Sequence, residues 1–391
     1  MSPPLHTKEF ERILVIKPSA LGDVVHTIPL LVKLRARYPK AQIDWLLSPQ
    51  NAELLRCHPA LSNVVLFDRH GIARFGRDWS AAAGLIKLLK QIRRERYDLV
   101  IDMHGQLRSA LFVVASGAPV RIGFRGPVKR EGHGYERGGQ KNVPERGWAG
   151  AREGSWLAYS HRIPIPTLAV HAADRYLWIG PMLGLDDSPP DFRIYLPPEA
   201  APEVEQLLDK NGLLGKPLAL LMPGTVWETK HWRLDGFKDV ARHLLEKGYA
   251  VALAGSPREQ PLCASVQAAC PAARDLAGQT TPAHLAALIQ RAKICVTNDS
   301  GPMHLAAALA TPVVSIFGPT DPVCIGPYGH PESVVRLELP CSPCNYRKLS
   351  QCPYDHACMQ GVTSQMVIER IERISEPVDR VLYRRERTLP T

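Results

Sequence analysis

Short apolar runs alternate along this chain with longer stretches in which apolar positions recur every three or four residues. Arg12-Ile-Leu-Val-Ile-Lys17 is one such run, ending in a Pro-Ser-Ala-Leu-Gly turn. Val24, Ile28, Leu31 and Leu34 then put one apolar face on a helix predicted over Asp23 to Tyr38. The same rhythm predicts strands at 42–47, 64–67 and 99–103, with an amphipathic basic helix over 79–96 between the last two. It breaks at 123–153, a stretch rich in Gly, Arg and Lys and almost without aliphatic side chains. That stretch is expected to be a long loop, either a solvated insertion or a lid that grips an anion. Beyond Pro189, Pro190, Pro197, Pro198 and Pro202 the alternation resumes, with strands predicted at 217–222, 250–254, 294–297 and 313–317. Val367, Ile371, Ile374, Val378 and Leu382 share one face of a terminal helix over Ser364 to Arg384, which Pro377 is expected to kink. Apolar strands alternating with helices indicate parallel sheets covered on both faces. The expected fold class is α/β, two Rossmann-like doubly wound domains over 1–185 and 186–391 with a C-terminal helix.

Composition agrees with two globular units. At 391 residues the chain is too long for one ordinary core, and 45% apolar with 22% charged residues is the balance of a soluble protein. No apolar stretch approaches the roughly 18 residues of a membrane span. Lys8, Glu9, Glu11 and Arg12 interrupt the N-terminus, which therefore does not read as a signal peptide, and a cytoplasmic protein is expected. The net charge of +10 calls for anionic partners: phosphorylated substrates, nucleic acid or an anionic membrane face. Charge alone does not choose among these. Cys57, Cys263, Cys270, Cys295 and Cys324 are scattered and read as reduced core residues.

Two segments concentrate the chemistry. In Lys17-Pro-Ser-Ala-Leu-Gly-Asp-Val-Val-His26 a strand meets a glycine turn and a helix start, the place where open α/β sheets bind ligands. Gly22 permits close approach of backbone to ligand, and helix-start amides favour anions. Asp23 either neutralises the helix dipole or takes a proton from a substrate hydroxyl, and the residues alone do not decide which. Neither the dinucleotide spacing G-x-G-x-x-G nor a P-loop G-K-[ST] is present. Val296-Thr-Asn-Asp-Ser-Gly-Pro-Met-His-Leu-Ala306 repeats the strand–turn–helix form. Its Asp299-Ser300-Gly301 suits a ribose hydroxyl beside a diphosphate, or a plain helix cap by Asp299 or Ser300. Between these segments, Met222-Pro-Gly-Thr-Val-Trp-Glu-Thr-Lys-His-Trp232 offers Gly224, Thr225 and Lys230 to a phosphate.

These runs, together with Ile101-Asp-Met-His-Gly105, His171-Ala-Ala-Asp-Arg-Tyr176 and Phe317-Gly-Pro-Thr-Asp-Pro322, resemble glycosyltransferase family 9, the lipopolysaccharide heptosyltransferases. The resemblance extends over nearly the whole chain. It implies the GT-B fold, with acceptor on the first domain and an ADP-heptose donor on the second. By position, Asp23 matches the family's catalytic base and Lys230 the residue at the donor phosphate. Asp299 matches the residue at the donor ribose and heptose, with Ser300 and Gly301 at the diphosphate. Thr225, Gly255, Glu259, Leu276 and His304 fall in donor-pocket segments. Ser19, Gly22 and His26 fall on the acceptor side, with Arg121 and Arg125, and also Lys129 and Arg130, available to acceptor phosphates or carboxylates. The implied reaction is direct and inverting, without a catalytic metal, since no Asp-x-Asp motif occurs. The implied acceptor is an anionic inner-core glycolipid at the inner membrane's cytoplasmic face, with a protein acceptor as the alternative. No nucleic acid is expected.

Cys341-Ser-Pro-Cys344 with Cys352 and Cys358 has the spacing of a four-thiolate site, which suggests structural iron or zinc. A redox pair and four ordinary thiols are the alternatives. A zinc-bearing nucleic-acid protein would use this cluster and the basic charge, but would leave Asp23, Lys230 and Asp299 without a role. A two-domain nucleotide-sugar epimerase or dehydrogenase would need the dinucleotide fingerprint that is missing.

Overall fold

The computed structural model describes residues 4–68, 79–128 and 147–375. Its first half is a sheet of six parallel strands: β1 (Arg12–Ile16), β2 (Gln42–Leu47), β3 (Asn63–Leu66), β4 (Leu99–Asp102), β5 (Val120–Phe124) and β6 (His161–Ile163), in the order β3-β2-β1-β4-β5-β6. The second half repeats the plan with β7 (Leu218–Met222), β8 (Ala250–Leu253), β9 (Arg274–Asp275), β10 (Ile294–Asn298), β11 (Val313–Phe317) and β12 (Val334–Arg336), in the order β12-β11-β10-β7-β8-β9. Both orders reverse direction once, between β1 and β4 and between β7 and β10. Ligands of doubly wound sheets bind outside the strand ends at such switch points.

Central strands are apolar because helices cover both of their faces. Ile13 to Ile16, Ala219 to Leu221 and Ile294 to Val296 have no exposed surface. Helix α1 (Leu21–Arg37) follows β1, and its apolar positions Val24, Ile28, Leu31 and Leu34 are all buried, as their spacing required. Helices α2 (Pro49–Leu55), α3 (Trp79–Arg94) and α4 (Leu107–Ser116) complete the first set of crossovers, and α5 (Ala172–Leu177) and α6 (Gly180–Leu183) lead out of the domain. In the second half α7 (Ala200–Lys210) precedes β7, while α8 (Leu234–Glu246), α9 (Gln260–Ala269), α10 (Pro282–Arg291) and α11 (Gly301–Ala308) alternate with its strands. Past β11 come the single turn α12 (Pro322–Ile325), then α13 (Ala357–Gln360) and α14 (Ser364–Ser375). Val367 and Ile371 of α14 are buried in the second core; the predicted continuation to Arg384, with Pro377, lies outside the described residues.

Two apolar clusters fill the separate halves, and a third joins them: Val25 of α1 and Leu54 of α2 pack with Ala200, Val204, Leu218 and Leu305. The crossover is also tied to α1. Lys33, 6% exposed, gives its ammonium to the Asp186 carboxylate at 2.9 Å and to the Ser188 carbonyl at 2.6 Å. Among the described residues no helix is long and apolar enough to cross a membrane.

The expected loop at 123–153 starts two residues too early, because Gly123 and Phe124 belong to β5. Gly123 is hard to read as strand, since glycine weakens strands unless something approaches its backbone. Here the Tyr159 ring does: a Cβ on Gly123 would lie 2.4 Å from it. Tyr159 in turn donates its hydroxyl to the fully buried Asp102 at 2.8 Å. Gly123→Ala should therefore displace a clamped ring and lower stability by about 1–3 kcal/mol, seen as a drop in melting temperature; an unchanged melt would mean that Tyr159 yields freely.

Candidate active site

Where β1 ends, Lys17 is 5% exposed, and a buried ammonium needs a partner. Asp23, in the first turn of α1, supplies it: Lys17 Nζ lies 3.2 Å from Asp23 Oδ2. The Ala20 amide donates to the same oxygen at 3.4 Å, and the Tyr176 hydroxyl of α5 donates to Oδ1 at 3.3 Å. Asp23 thus caps its own helix start, as the dipole reading expects, and also holds a lysine. Its side chain keeps 40% of its surface exposed, in a recess rather than a sealed core. Burial pushes the Asp23 carboxyl up, but the Lys17 charge and hydrogen bond, with the Ala20 amide and His104, outweigh it and hold the pKa below the ordinary 3.8. Burial likewise opposes the Lys17 ammonium, and Asp23 and Tyr176 overturn it, leaving the pKa above the lysine norm. Asp23's contribution to stability is therefore complete above pH 3.8 and is lost as pH falls through its lower folded value. That of Lys17 is complete below 10.5 and is lost as pH climbs through its raised one.

The neighbouring strand end brings His104 beside this pair, since β4 pairs with β1 and Met103 donates its amide to the Ile16 carbonyl. Asp102 fixes that turn by accepting the His104 and Gly105 amides at 2.8 and 3.1 Å. Burial, then the Lys17 charge, lowers His104 to about 3, so its imidazole is neutral.

At the second switch point Asp299 follows β10 and is 3% exposed. Lys230 Nζ meets its Oδ2 at 2.7 Å, and the Thr320 hydroxyl donates to the same oxygen. The Thr225 hydroxyl donates to the Asp299 carbonyl at 3.2 Å. Lys230 also sits 4.3 Å over the Trp227 ring, with Arg347 on that ring at 4.7 Å. Neither Asp299 nor Ser300 caps α11: the carboxylate is engaged as described, and Ser300 Oγ pairs with Thr297 Oγ1 at 2.9 Å. The opening turn of α11 therefore has no side-chain cap, as an anion site at a helix start requires. Glu259 closes another side. It accepts the Ser256 amide at 2.6 Å, and its carboxyl carbon would be 2.1 Å from a Cβ on Gly224. A Cβ on Gly255 would come within 3.0 Å of Glu259 Cβ. Gly224, Gly255, Glu259 and the buried Leu276 thus gather around the ends of β7 and β8.

The two strand ends meet because α1 and α11 cross closely at their N-termini. Gly22 lies under the His304 ring, where a Cβ would be 2.3 Å from His304 Cδ2, and a Cβ on Gly301 would be 3.0 Å from Leu21. Both glycines serve helix contact, a role for Gly22 beside the one expected from its turn. His26, expected on the acceptor side, is 3% exposed and bonds His304 instead, Nε2 to Nδ1 at 3.0 Å. Ser19 stays half-buried in the turn before α1. Arg121 is near the start of β5, the end of the sheet away from the cleft, and gives Nε and Nη1 to the Ala158 and Ala118 carbonyls. It is not free to grip an acceptor there. Arg125, just past the other end of β5, is exposed. Lys129 and Arg130 lie outside the described residues.

The four-cysteine metal expectation is not met: among the described residues no three His, Cys, Asp or Glu side chains are grouped to hold an ion. Cys341, Cys344 and Cys352 are half-buried and Cys358 is buried in the second core. Direct bonds hold the segment to the lysine loop. Thr229 donates to the Tyr346 carbonyl at 2.5 Å, His356 Nε2 meets the Thr229 carbonyl at 2.6 Å, and the Leu349 amide reaches Glu228 at 3.1 Å. The segment braces the turn that carries Lys230.

Lys17, Tyr176, His104, Thr320 and Trp227 belong to these sites without being marked as such in the sequence. A lysine ending an apolar run is the available signal for Lys17; Tyr176 and Thr320 lie within the 171–176 and 317–322 runs without any local mark of their contacts.

Two doubly wound sheets with paired charges at both switch points have the GT-B architecture, the fold of the solved neighbours. The model of the family "Glycosyltransferase family 9 (heptosyltransferase)" matches residues 85–135 and 138–355, and the chain belongs to that family. It is accordingly a glycosyltransferase. Lipopolysaccharide heptosyltransferase 1 of Pseudomonas aeruginosa is 30% identical over 337 residues, 85% of this chain and 86% of the relative. The solved Escherichia coli ADP-heptose heptosyltransferase II superposes with a TM-score of 0.70 at 24% identity, covering 93% of this chain and 98% of that one. E. coli heptosyltransferase WaaC with ADP-2-deoxy-2-fluoro heptose gives 0.68 at 22% identity, covering 93% and 99%.

Lys230→Met should strand the Asp299 carboxylate and destabilise the second half by about 3–5 kcal/mol. Adding Asp299→Asn should restore most of that loss in chemical denaturation. Equal stability of the single variant and the wild type would contradict the burial assigned to this pair.

Proposed function

We propose that this chain moves a heptose from ADP-heptose to a hydroxyl of a lipopolysaccharide inner-core acceptor, with inversion at the anomeric carbon. Residues 1–185 hold the acceptor and 186–391 the nucleotide sugar. The observation that carries this reading is the juxtaposition at His304, which follows the Asp299–Ser300 turn of one half and lays its ring against Gly22, the neighbour of Asp23, in the other. An ionised carboxylate and a nucleotide-facing lysine–aspartate pair thus flank one crossing of two helices.

In this reading Asp23 is the general base. Lys17 keeps it ionised, at some cost in basicity, so it meets the acceptor hydroxyl ready to take a proton. The hydroxyl oxygen bonds to the anomeric carbon as the bond to the ADP oxygen breaks on the opposite face. Lys230 and the uncapped start of α11 stabilise the negative charge that collects on the leaving diphosphate. Lys230 must then share its ammonium between Asp299 and phosphate. Asp299 lies where a ribose or heptose hydroxyl would be bound, and Thr225, Glu259 and Leu276 line the same nucleotide pocket. The relatives support the donor: one solved neighbour is described as an ADP-heptose enzyme and another holds an ADP-heptose analogue. The P. aeruginosa relative, described as a lipopolysaccharide heptosyltransferase, supports the acceptor. Work at the cytoplasmic face of the inner membrane, by peripheral contact, fits the net charge of +10.

The test is a melting comparison with ADP, UDP, GDP and NAD, followed by an assay with ADP-heptose and a heptose-free inner-core acceptor. A nucleotide at a hundred times its dissociation constant adds about 2.7 kcal/mol to apparent stability. ADP alone should stabilise, and the product should carry the inverted anomer. Stabilisation by NAD without ADP would overturn the transferase reading, and preference for UDP or GDP would overturn the donor.

A further inference from the structure

His26 and His304 come from helices of different halves and are both buried, at 3% and 9% exposure. Their rings meet edge to face with centroids 4.3 Å apart, and Nε2 of one is 3.0 Å from Nδ1 of the other. One nitrogen must donate and the other accept, so the two neutral rings set each other's tautomer. Burial, reinforced by the neighbouring imidazoles, keeps both neutral: His304 falls to about 4 and His26 well below the ordinary histidine value. His171 meets the His26 ring edge to face at 4.9 Å and its Nε2 meets the Gly326 carbonyl at 3.0 Å, a second tie between the halves. The arrangement is costly as packing, since His26 Nδ1 is buried without a hydrogen-bond partner among the described residues. A leucine would fill the space without that cost. What a leucine lacks is direction: the hydrogen bond from His26 orients the His304 ring, which lies directly over Gly22, the residue before Asp23.

We propose that His26 is a positioning residue: by its hydrogen bond it orients His304 across the interface and so fixes the distance from Asp23 on α1 to the Asp299–Ser300 turn before α11. The inference rests on the assignment of those two strand ends to acceptor and donor. In this role His26 need not touch either substrate. It acts by keeping base and leaving group in one geometry, where displacements of an ångström are felt in the rate.

The test pairs kinetics with imidazole nitrogen NMR on the full chain. His26→Leu keeps bulk and removes the hydrogen bond; His26→Gln places an amide where Nε2 was. With ADP-heptose as donor, His26→Leu is expected to lose about tenfold or more in kcat, while its ADP dissociation constant and melting temperature stay near wild type. His26→Gln should recover most of that rate. Full kcat in His26→Leu overturns the proposal, as does a loss that His26→Gln fails to repair. Should His26→Leu not fold, the wild-type spectrum decides: one fixed His304 tautomer supports the proposal and two exchanging tautomers overturn it. A wild type with a fixed tautomer but no transfer from ADP-heptose would sink the donor assignment and leave the His26–His304 lock standing.

Discussion

Everything at the site depends on how closely α1 and α11 cross. Two doubly wound sheets each present a ligand edge at their switch point, but one transfer reaction needs both edges within reach of the same few atoms. Gly22 beneath the His304 ring and Gly301 against Leu21 allow that approach. The third core cluster, with Val25 and Leu54 packed among residues of the second half, and the Lys33 tie to Asp186 and Ser188 hold it. Larger side chains at either glycine would push the strand ends apart and separate Asp23 from Asp299.

Each edge carries one lysine–aspartate pair, and their settings differ. Lys230 and Asp299 are buried together, with 11% and 4% of their side chains exposed. Such a pair gains little net stability over apolar residues of the same shape, so its retention fits service to a ligand with phosphate and hydroxyl groups. Lys17 is buried while Asp23 opens to the cleft. The buried cation keeps the carboxylate ionised and leaves it reachable. The 341–358 segment, through Tyr346, Arg347, Leu349 and His356, stiffens the turn that presents Lys230.

Much of this architecture is legible in the sequence, for local reasons. The apolar spacing of Val24, Ile28, Leu31 and Leu34 marks α1, and strand–turn–helix punctuation at Asp23 and Asp299 marks both switch points. What stayed hidden depends on distant contacts. Gly123 reads as loop until the Tyr159 ring is seen against it, and Tyr176 reaches Asp23 across a separation of 153 residues. Arg121 and Arg125 look alike in a basic stretch, yet they sit at opposite ends of β5, which no local pattern announces. Cysteine spacing suggested a metal, while hydrogen bonds from Thr229 and His356 account for the segment's placement.

In the proposed reaction Asp23 takes the proton while the other half holds the nucleotide. Asp23→Asn keeps the shape and the contact to Tyr176 but cannot accept a proton, so kcat for heptosyl transfer should fall about 10²–10⁴-fold. Calorimetric affinity for ADP should remain that of the wild type. Transfer surviving at near wild-type rate, or ADP affinity collapsing with the substitution, would contradict the account.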